Sequence, residues 1–341
     1  MAFYNQILLP ERIDITNDEL RKVVRESTGL SFARLERVGE TGEAATIRLT
    51  GFLKISDNTR EVDLLKRFRR ALGARYAGHF PDFDAKRLCD GKIVLELEHV
   101  GERTLESLML SAVDGDSYVM RPLDVIDRVS AFIRCFSDHG LEERVADRVK
   151  EVVRAEVVQA LINNSRKSGI HVRMNRDVTA LASRMDFKPT VCHRDLSAAN
   201  VVCTKDSIRL IDSRAEVPGA KISRSGVYGS SAIDCATFAV SLERKELERE
   251  RLGLPVLGTV ETFRLFVPSL ISAGLFTGGM YDLCLACAYS VYAACACSYC
   301  MSPEKLWLYD AMKEPHARTL SALTYAGVVE CVYVPFAPCN G

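Results

Sequence analysis

Residues 189–214 read PTVCHRDLSAANVVCTKDSIRLIDSR, and most of the polar chemistry of this stretch lies between two short apolar runs. HRDLSAAN, residues 193–200, is expected to be a loop that sets Asp195 and Asn200 five positions apart. A tight hairpin follows: Val201, Val202 and Cys203 as one strand, Thr204 to Ser207 as the turn, and Ile208 to Ile211 as the return strand. A short hairpin brings its ends together, so Asp195, Asn200 and the Asp212 that closes the return strand are expected to converge. Their donors are all hard oxygens, a set suited to Mg²⁺ held partly by protein and partly by phosphate, and one carboxylate is left over to act on a substrate hydroxyl. As plain turn residues, Asp195 and Asn200 would hydrogen-bond their own backbone, but that reading leaves Asp212 unexplained.

HRDLSAAN resembles the catalytic loop of the protein-kinase-like superfamily, and LID, residues 210–212, resembles the metal-binding motif that follows it. The resemblance implies that Asp195 is the catalytic base and that Asn200 and Asp212 hold the metal. It also implies an α+β, bilobal protein-kinase-like fold. The N-lobe, residues 1–97, would be a small antiparallel sheet with one main helix and would bind the nucleotide. The C-lobe, residues 98–341, would be larger and mostly helical, with extra helices between hinge and catalytic loop.

N-terminal to this stretch, the pattern predicts antiparallel strands at Ser31–Val38, Ala44–Thr50 and Phe52–Ser56, divided by Gly39, Gly42 and Gly51 and read as a meander. The turn GETGEAA, with Gly39 and Gly42, resembles a nucleotide-covering glycine loop, although an ordinary hairpin turn uses the same residues. TREVDLLKRFRRAL follows as an amphipathic helix with Val62, Leu65 and Phe68 on its buried side and Asp63 on its polar side. Glu61 lies on the buried side one turn from Leu65, within reach of Lys54 in the strand FLKIS. The pair is similar to the kinase Lys and Glu that hold the α- and β-phosphates. Asp90-Gly91 marks a further hairpin. In kinase-like folds its outgoing strand reaches the hinge, which implies adenine recognition by the main chain of Glu98 and Val100.

Helices are expected from Asp124 to His139 and from Val145 to Ile162. His99 and His193 stand 94 residues apart. Protein kinases cross from hinge to catalytic loop in a shorter stretch, whereas aminoglycoside phosphotransferases carry extra acceptor-capping helices there. Asp234, 22 residues after Asp212, opens an apolar helix resembling that branch's buried helix after the metal loop. Arg194 departs from the Gly usual in the antibiotic kinases, and Ser213-Arg214 from the aromatic and Gly that often follow the metal-binding Asp. NNSRKSGIHVRMNR is locally basic and reads as a solvated linker. Residues 252–341 read as further helices without a motif.

Forty-five basic residues balance 45 acidic ones, which argues against a nucleic-acid binder resting on phosphate neutralisation. No signal peptide is visible at the start of the sequence, so a cytoplasmic location is expected. The 12 cysteines lack the spread of a disulfide framework. The uncharged run Leu283–Pro303 is rich in Ala, Cys and Ser, which suits close helix packing rather than a membrane span. Cys284, Cys287, Cys295, Cys297 and Cys300 share helical faces without a nearby His and read as packing residues, not a metal site.

The resemblance therefore implies an ATP- and Mg²⁺-dependent phosphotransferase that moves the γ-phosphate to a hydroxyl of a small molecule. The acceptor could be an aminoglycoside or nucleoside type of antibiotic, which would confer antibiotic resistance, or a sugar-like metabolite. A Ser/Thr protein kinase and a non-catalytic kinase-fold scaffold are the alternatives.

Overall fold

The structure, a computed structural model, describes residues 4–7, 36–41, 44–48, 52–56, 60–87, 93–98, 100–101, 103–111, 120–137, 143–174, 183–214, 217–218, 220, 226–298 and 303–333. The chain divides into two compact units, Met1–Glu102 and Arg103–Gly341. The fold is α+β: small antiparallel sheets with one main helix make up the first unit, and the second is mostly helical.

In the first unit the strands form two three-stranded sheets rather than the single meander expected from the sequence. Tyr4–Ile7 and Glu36–Thr41 flank Ala44–Arg48, while Phe52–Ser56 and Phe83–Arg87 flank Ile93–Leu97. Phe52–Ser56 thus skips its sequence neighbour and pairs with Ile93–Leu97, Lys54 standing opposite Leu95. Alternation along the chain predicts that a segment is a strand, but it does not say which partner the strand takes. The strands on either side of Asp90-Gly91, Phe83–Arg87 and Ile93–Leu97, pair antiparallel, and the expected turn itself lies outside the described residues.

The helix Arg60–Leu72 lies against this second sheet because its apolar residues recur on one face. Val62 and Leu65 pack with Leu95, and Phe83, Ala85 and Leu97 close around them. Phe68 is fully buried and stacks near Phe80, whereas Asp63 is exposed, as its helical position requires.

In the second unit the helices Pro122–Ser137 and Glu143–Lys167 stand in the sequence between the unit boundary and the loop 193–200. Val125, Ile126, Val129, Phe132, Ile133 and Phe136, the expected apolar stripe of the first of them, are all buried. Gly278–Ser298 packs against Glu143–Lys167, Ser231–Arg251 and Pro303–Tyr325, and its small residues allow that many close neighbours. Among the described residues, no helix is long and apolar enough to cross a membrane.

Two readings of this unit need correction. The basic segment NNSRKSGIHVRMNR is not a linker: Asn163–Lys167 completes the long helix and Ile170–Met174 is a strand. Its partner is Val329–Tyr333, so the C-terminal region carries a strand as well as helices. The pairing joins segments more than 150 residues apart, and local periodicity holds no signal for it.

Candidate functional site

The hairpin after the loop 193–200 forms in the expected register, with Val201 opposite Leu210 and Cys203 opposite Ile208. Thr204 closes the turn by donating its N–H to the Ser207 carbonyl at 2.9 Å. One step beyond the ladder, the Ile211 N–H donates to the Asn200 carbonyl at 3.0 Å, which ties the end of the loop to the residue before Asp212. The Asn200 side-chain amide donates to the Asp195 carbonyl at 2.8 Å, fixing the spacing across the loop. Asp195, Asn200 and Asp212 are thereby gathered at one end of a short hairpin.

Two non-glycine residues among those described have a left-handed backbone, and both belong to this site: Arg194 at φ 65° and Asp212 at φ 53°. Side chains pay an energy cost there, so the surrounding structure must hold them. For Arg194 the restraints are visible. Its N–H donates to Asp234 Oδ1 at 2.7 Å, Nη1 to Glu156 Oε2 at 3.0 Å and Nη2 to the Tyr228 carbonyl at 2.6 Å.

Asp234 also accepts from the His193 N–H at 2.8 Å, so one buried carboxylate straps two consecutive amides of the loop that carries Asp195. It sits in the first turn of Ser231–Arg251, a helix capped by the Ser230 hydroxyl, which accepts from the Ala232 N–H. Burial pushes the Asp234 carboxyl up to about 6 against the pull of those two amides. The His193 ring is pushed down to about 3, chiefly by burial, with a hydrogen bond at Ile211 opposing. Asp234 thus holds the loop through the His193 and Arg194 amides, and Asp195 follows directly after them.

Asp195 is mostly shielded, and Arg214 Nε donates to its Oδ2 at 2.7 Å. Burial raises its carboxyl above the ordinary range; Arg214 pulls it back down, the Asp212 charge pushes it up, and Asn200 pulls it down. The Asp212 charge bears on the Asp195 carboxyl, and the Asn200 amide is bonded to the Asp195 carbonyl. Asn200 and Asp212 supply oxygen donors that fit a hard cation. Among the described residues no group of three or more His, Cys, Asp or Glu could hold a metal on its own. The donor set is one that phosphate oxygens would have to complete.

Beside Asp195 opens a cavity of about 90 Å³ in the second unit, walled mainly by the helices Glu143–Lys167, Ser231–Arg251 and Gly278–Ser298. Cys284 and Cys287 are in its wall and buried, and burial raises both thiols, Cys287 to about 12. They act there as small neutral packing residues; Cys295, Cys297 and Cys300 have side chains outside the described residues.

The remaining sequence candidates belong to the first unit. Gly39 falls inside the strand Glu36–Thr41, opposite Thr46 and beside a register shift at Arg37, rather than in the turn, and Gly42 lies outside the described residues. Lys54 is central in its strand and Glu61 is in the first turn of Arg60–Leu72, but both side chains lie outside the described residues. The Glu98 N–H donates to the Asp82 carbonyl at 2.8 Å, and its carboxylate accepts from the Asp82 N–H at 2.9 Å. Val100 is buried.

Sequence reading missed Glu156, the cavity walls and the engagement of Arg214. Glu156 is one of several charged residues on a long helix, and only the fold sets it opposite Arg194. Arg214 had a local signal, since a cation two residues after Asp212 returns to the base of the same hairpin.

No protein-family model matches the chain, and no curated protein matches it. Solved structures do. The chain is similar to a thermostable mutant of aminoglycoside phosphotransferase APH(4)-Ia in ternary complex with AMP-PNP and hygromycin B, at 11% identity and TM-score 0.48, over 89% of this chain and 98% of that one. It is similar to a Plasmodium vivax ethanolamine kinase at 9% identity and TM-score 0.48, over 93% and 92% of the two chains. It is also similar to a glucosamine kinase at 10% identity and TM-score 0.45, over 76% and 70%.

Proposed function

We propose that the protein is a phosphotransferase that moves the γ-phosphate of ATP to a hydroxyl group of a small molecule. The observation that carries this reading is the hairpin-held set of Asp195, Asn200 and Asp212, with Asp195 beside a cavity and both flanking backbone turns strained into place. Strain retained at a site, with specific restraints holding it, is a mark of function rather than of packing.

In this reading Asp195 orients the acceptor hydroxyl and takes its proton. The acceptor oxygen forms a bond to the γ-phosphorus as the bond from that phosphorus to the β–γ bridging oxygen breaks, and the electron pair leaves on ADP. Asn200 and Asp212 would hold Mg²⁺, whose chemistry is to neutralise charge on the phosphates. Lys54, oriented by Glu61, would grip the α- and β-phosphates, Gly39 and Gly42 would lie over them, and the main chain of Glu98 and Val100 would receive the adenine. Positioning and charge stabilisation supply most of the barrier reduction in such transfers.

The test separates binding from chemistry. Mg²⁺-ATP should raise the melting temperature of the parent protein, as any ligand of the native state does. Asp195→Asn should keep that shift while turnover falls by about 10²-fold or more. A parent protein that ignores Mg²⁺-ATP, or an Asp195→Asn protein that turns over at the parental rate, overturns the proposal.

A further inference from the structure

We infer that the cavity beside Asp195 is the acceptor subsite and that it selects an uncharged alcohol with a compact apolar body, rather than a polycationic sugar. The inference rests on the phosphotransfer reading, because it is Asp195 as base that makes the cavity an acceptor site. Its content comes from the walls. Val157, Val217, Ile233, Ala288 and Val291 present hydrocarbon, and the ring of Pro218 adds to it.

Among the described lining residues the hydroxyl-bearing ones are Thr237 and Tyr292, and Asp195 is the one charged side chain. Asp195 already answers the Arg214 guanidinium. Among the described lining residues an ammonium group entering here would find no carboxylate other than Asp195, which disfavours cations. The thiols of Cys284 and Cys287 cannot supply the missing negative charge, since burial holds them protonated.

Size points the same way. An apolar cavity of about 150 Å³ takes one benzene ring, and this one measures about 90 Å³ before its opening to solvent. It therefore receives a branched alkyl group or part of a ring, with the hydroxyl near Asp195 and the rest of the molecule toward solvent. A sugar ring would surrender the hydration of several hydroxyls to walls that, among the described lining residues, are mostly hydrocarbon.

The experiment compares 3-methylbutan-1-ol with 3-methylbutan-1-amine, which share a carbon skeleton and differ in charge, and with glycerol, which lacks the apolar body. Binding to the full chain is followed by NMR of the Val and Ile methyl groups. The expected result is saturable binding of the alcohol at millimolar concentration, with the amine and glycerol at least tenfold weaker. Val291→Phe should weaken the alcohol at least tenfold, and Ala288→Leu, a smaller filling, serves if Val291→Phe does not fold. Equal or tighter binding of the amine, no binding of the alcohol, or binding unchanged by the filling variant overturns the inference. A Mg²⁺-ATP melting shift measured on the same samples distinguishes the failures. If the shift is present and the amine is favoured, the inference falls alone; if the shift is absent, the phosphotransfer reading falls and takes the acceptor role with it.

Discussion

Arg214 donates from Nε to Asp195 Oδ2 at 2.7 Å, and its own N–H donates to the His193 carbonyl at 3.0 Å, so the second residue after Asp212 is tied twice to the loop that carries Asp195. The guanidinium opposes the upward push of burial on the Asp195 carboxyl. Removing it lets that carboxyl rise further, and a base that must be ionised then needs a higher pH to work. Arg214→Ala should move the acidic limb of the kcat/KM profile to higher pH, and Arg214→Lys, which keeps the charge without the Nε geometry, should move it less. A profile that is unchanged in Arg214→Ala would show that the ion pair has no hold on the base.

Arg194 and Glu156 form a pair that is almost wholly withdrawn from solvent, with side-chain exposures of 0% and 3%. Breaking such a pair leaves one charge buried without its partner, which costs about 3–5 kcal/mol. Glu156→Ala should lower stability by that order in urea unfolding. Arg194→Gly relieves the left-handed backbone but strands Glu156, so it should also destabilise. The double variant should lose less than the sum of the two singles, and strict additivity would mean that the two side chains act separately.

The catalytic hairpin, the helix Arg60–Leu72 and the helices before the loop were legible because each is written in local periodicity. What periodicity omits is partnership. It gave Phe52–Ser56 as a strand but not its pairing with Ile93–Leu97, and it passed over Ile170–Met174 because its partner Val329–Tyr333 lies at the far end of the chain. The site divides in the same way. Asp195, Asn200 and Asp212 are set within a hairpin's length of each other, whereas Glu156 meets Arg194, and the cavity walls meet Asp195, only through helix packing.

Asp234 gives one carboxylate oxygen to each of two amides, His193 to Oδ2 and Arg194 to Oδ1. Asp234→Asn keeps the shape but has a single oxygen, so one buried N–H loses its acceptor and faces an NH₂ group instead. The expected loss is about 1–3 kcal/mol, the cost of leaving one buried polar group unpaired. Turnover should fall with it, because the loop that carries Asp195 is the segment released. A normal melting temperature with lost turnover would make Asp234 a reacting group rather than a strap.

Acid should destabilise the protein through its buried histidines. Burial holds His193 at about 3 and His316 at about 4, below the ordinary value of 6.5. The unfolded chain therefore takes up protons first, and the stability these residues contribute is complete above pH 6.5 and is lost as pH falls toward those lower values. Asp234 works in the opposite sense. Its carboxyl is raised to about 6, so its contribution is greatest below pH 3.8 and declines as pH rises to 6. Asp195 and Asp282, which burial also raises, act in the same sense as Asp234, so the histidine contribution is read from the change of slope on substitution rather than from the net slope. Urea unfolding at several pH values gives both slopes. His316 lies on the helix Pro303–Tyr325 and is buried, so His316→Met should flatten the acid slope without altering the Mg²⁺-ATP melting shift at neutral pH. An acid slope equally steep in that variant would assign the lability to other groups.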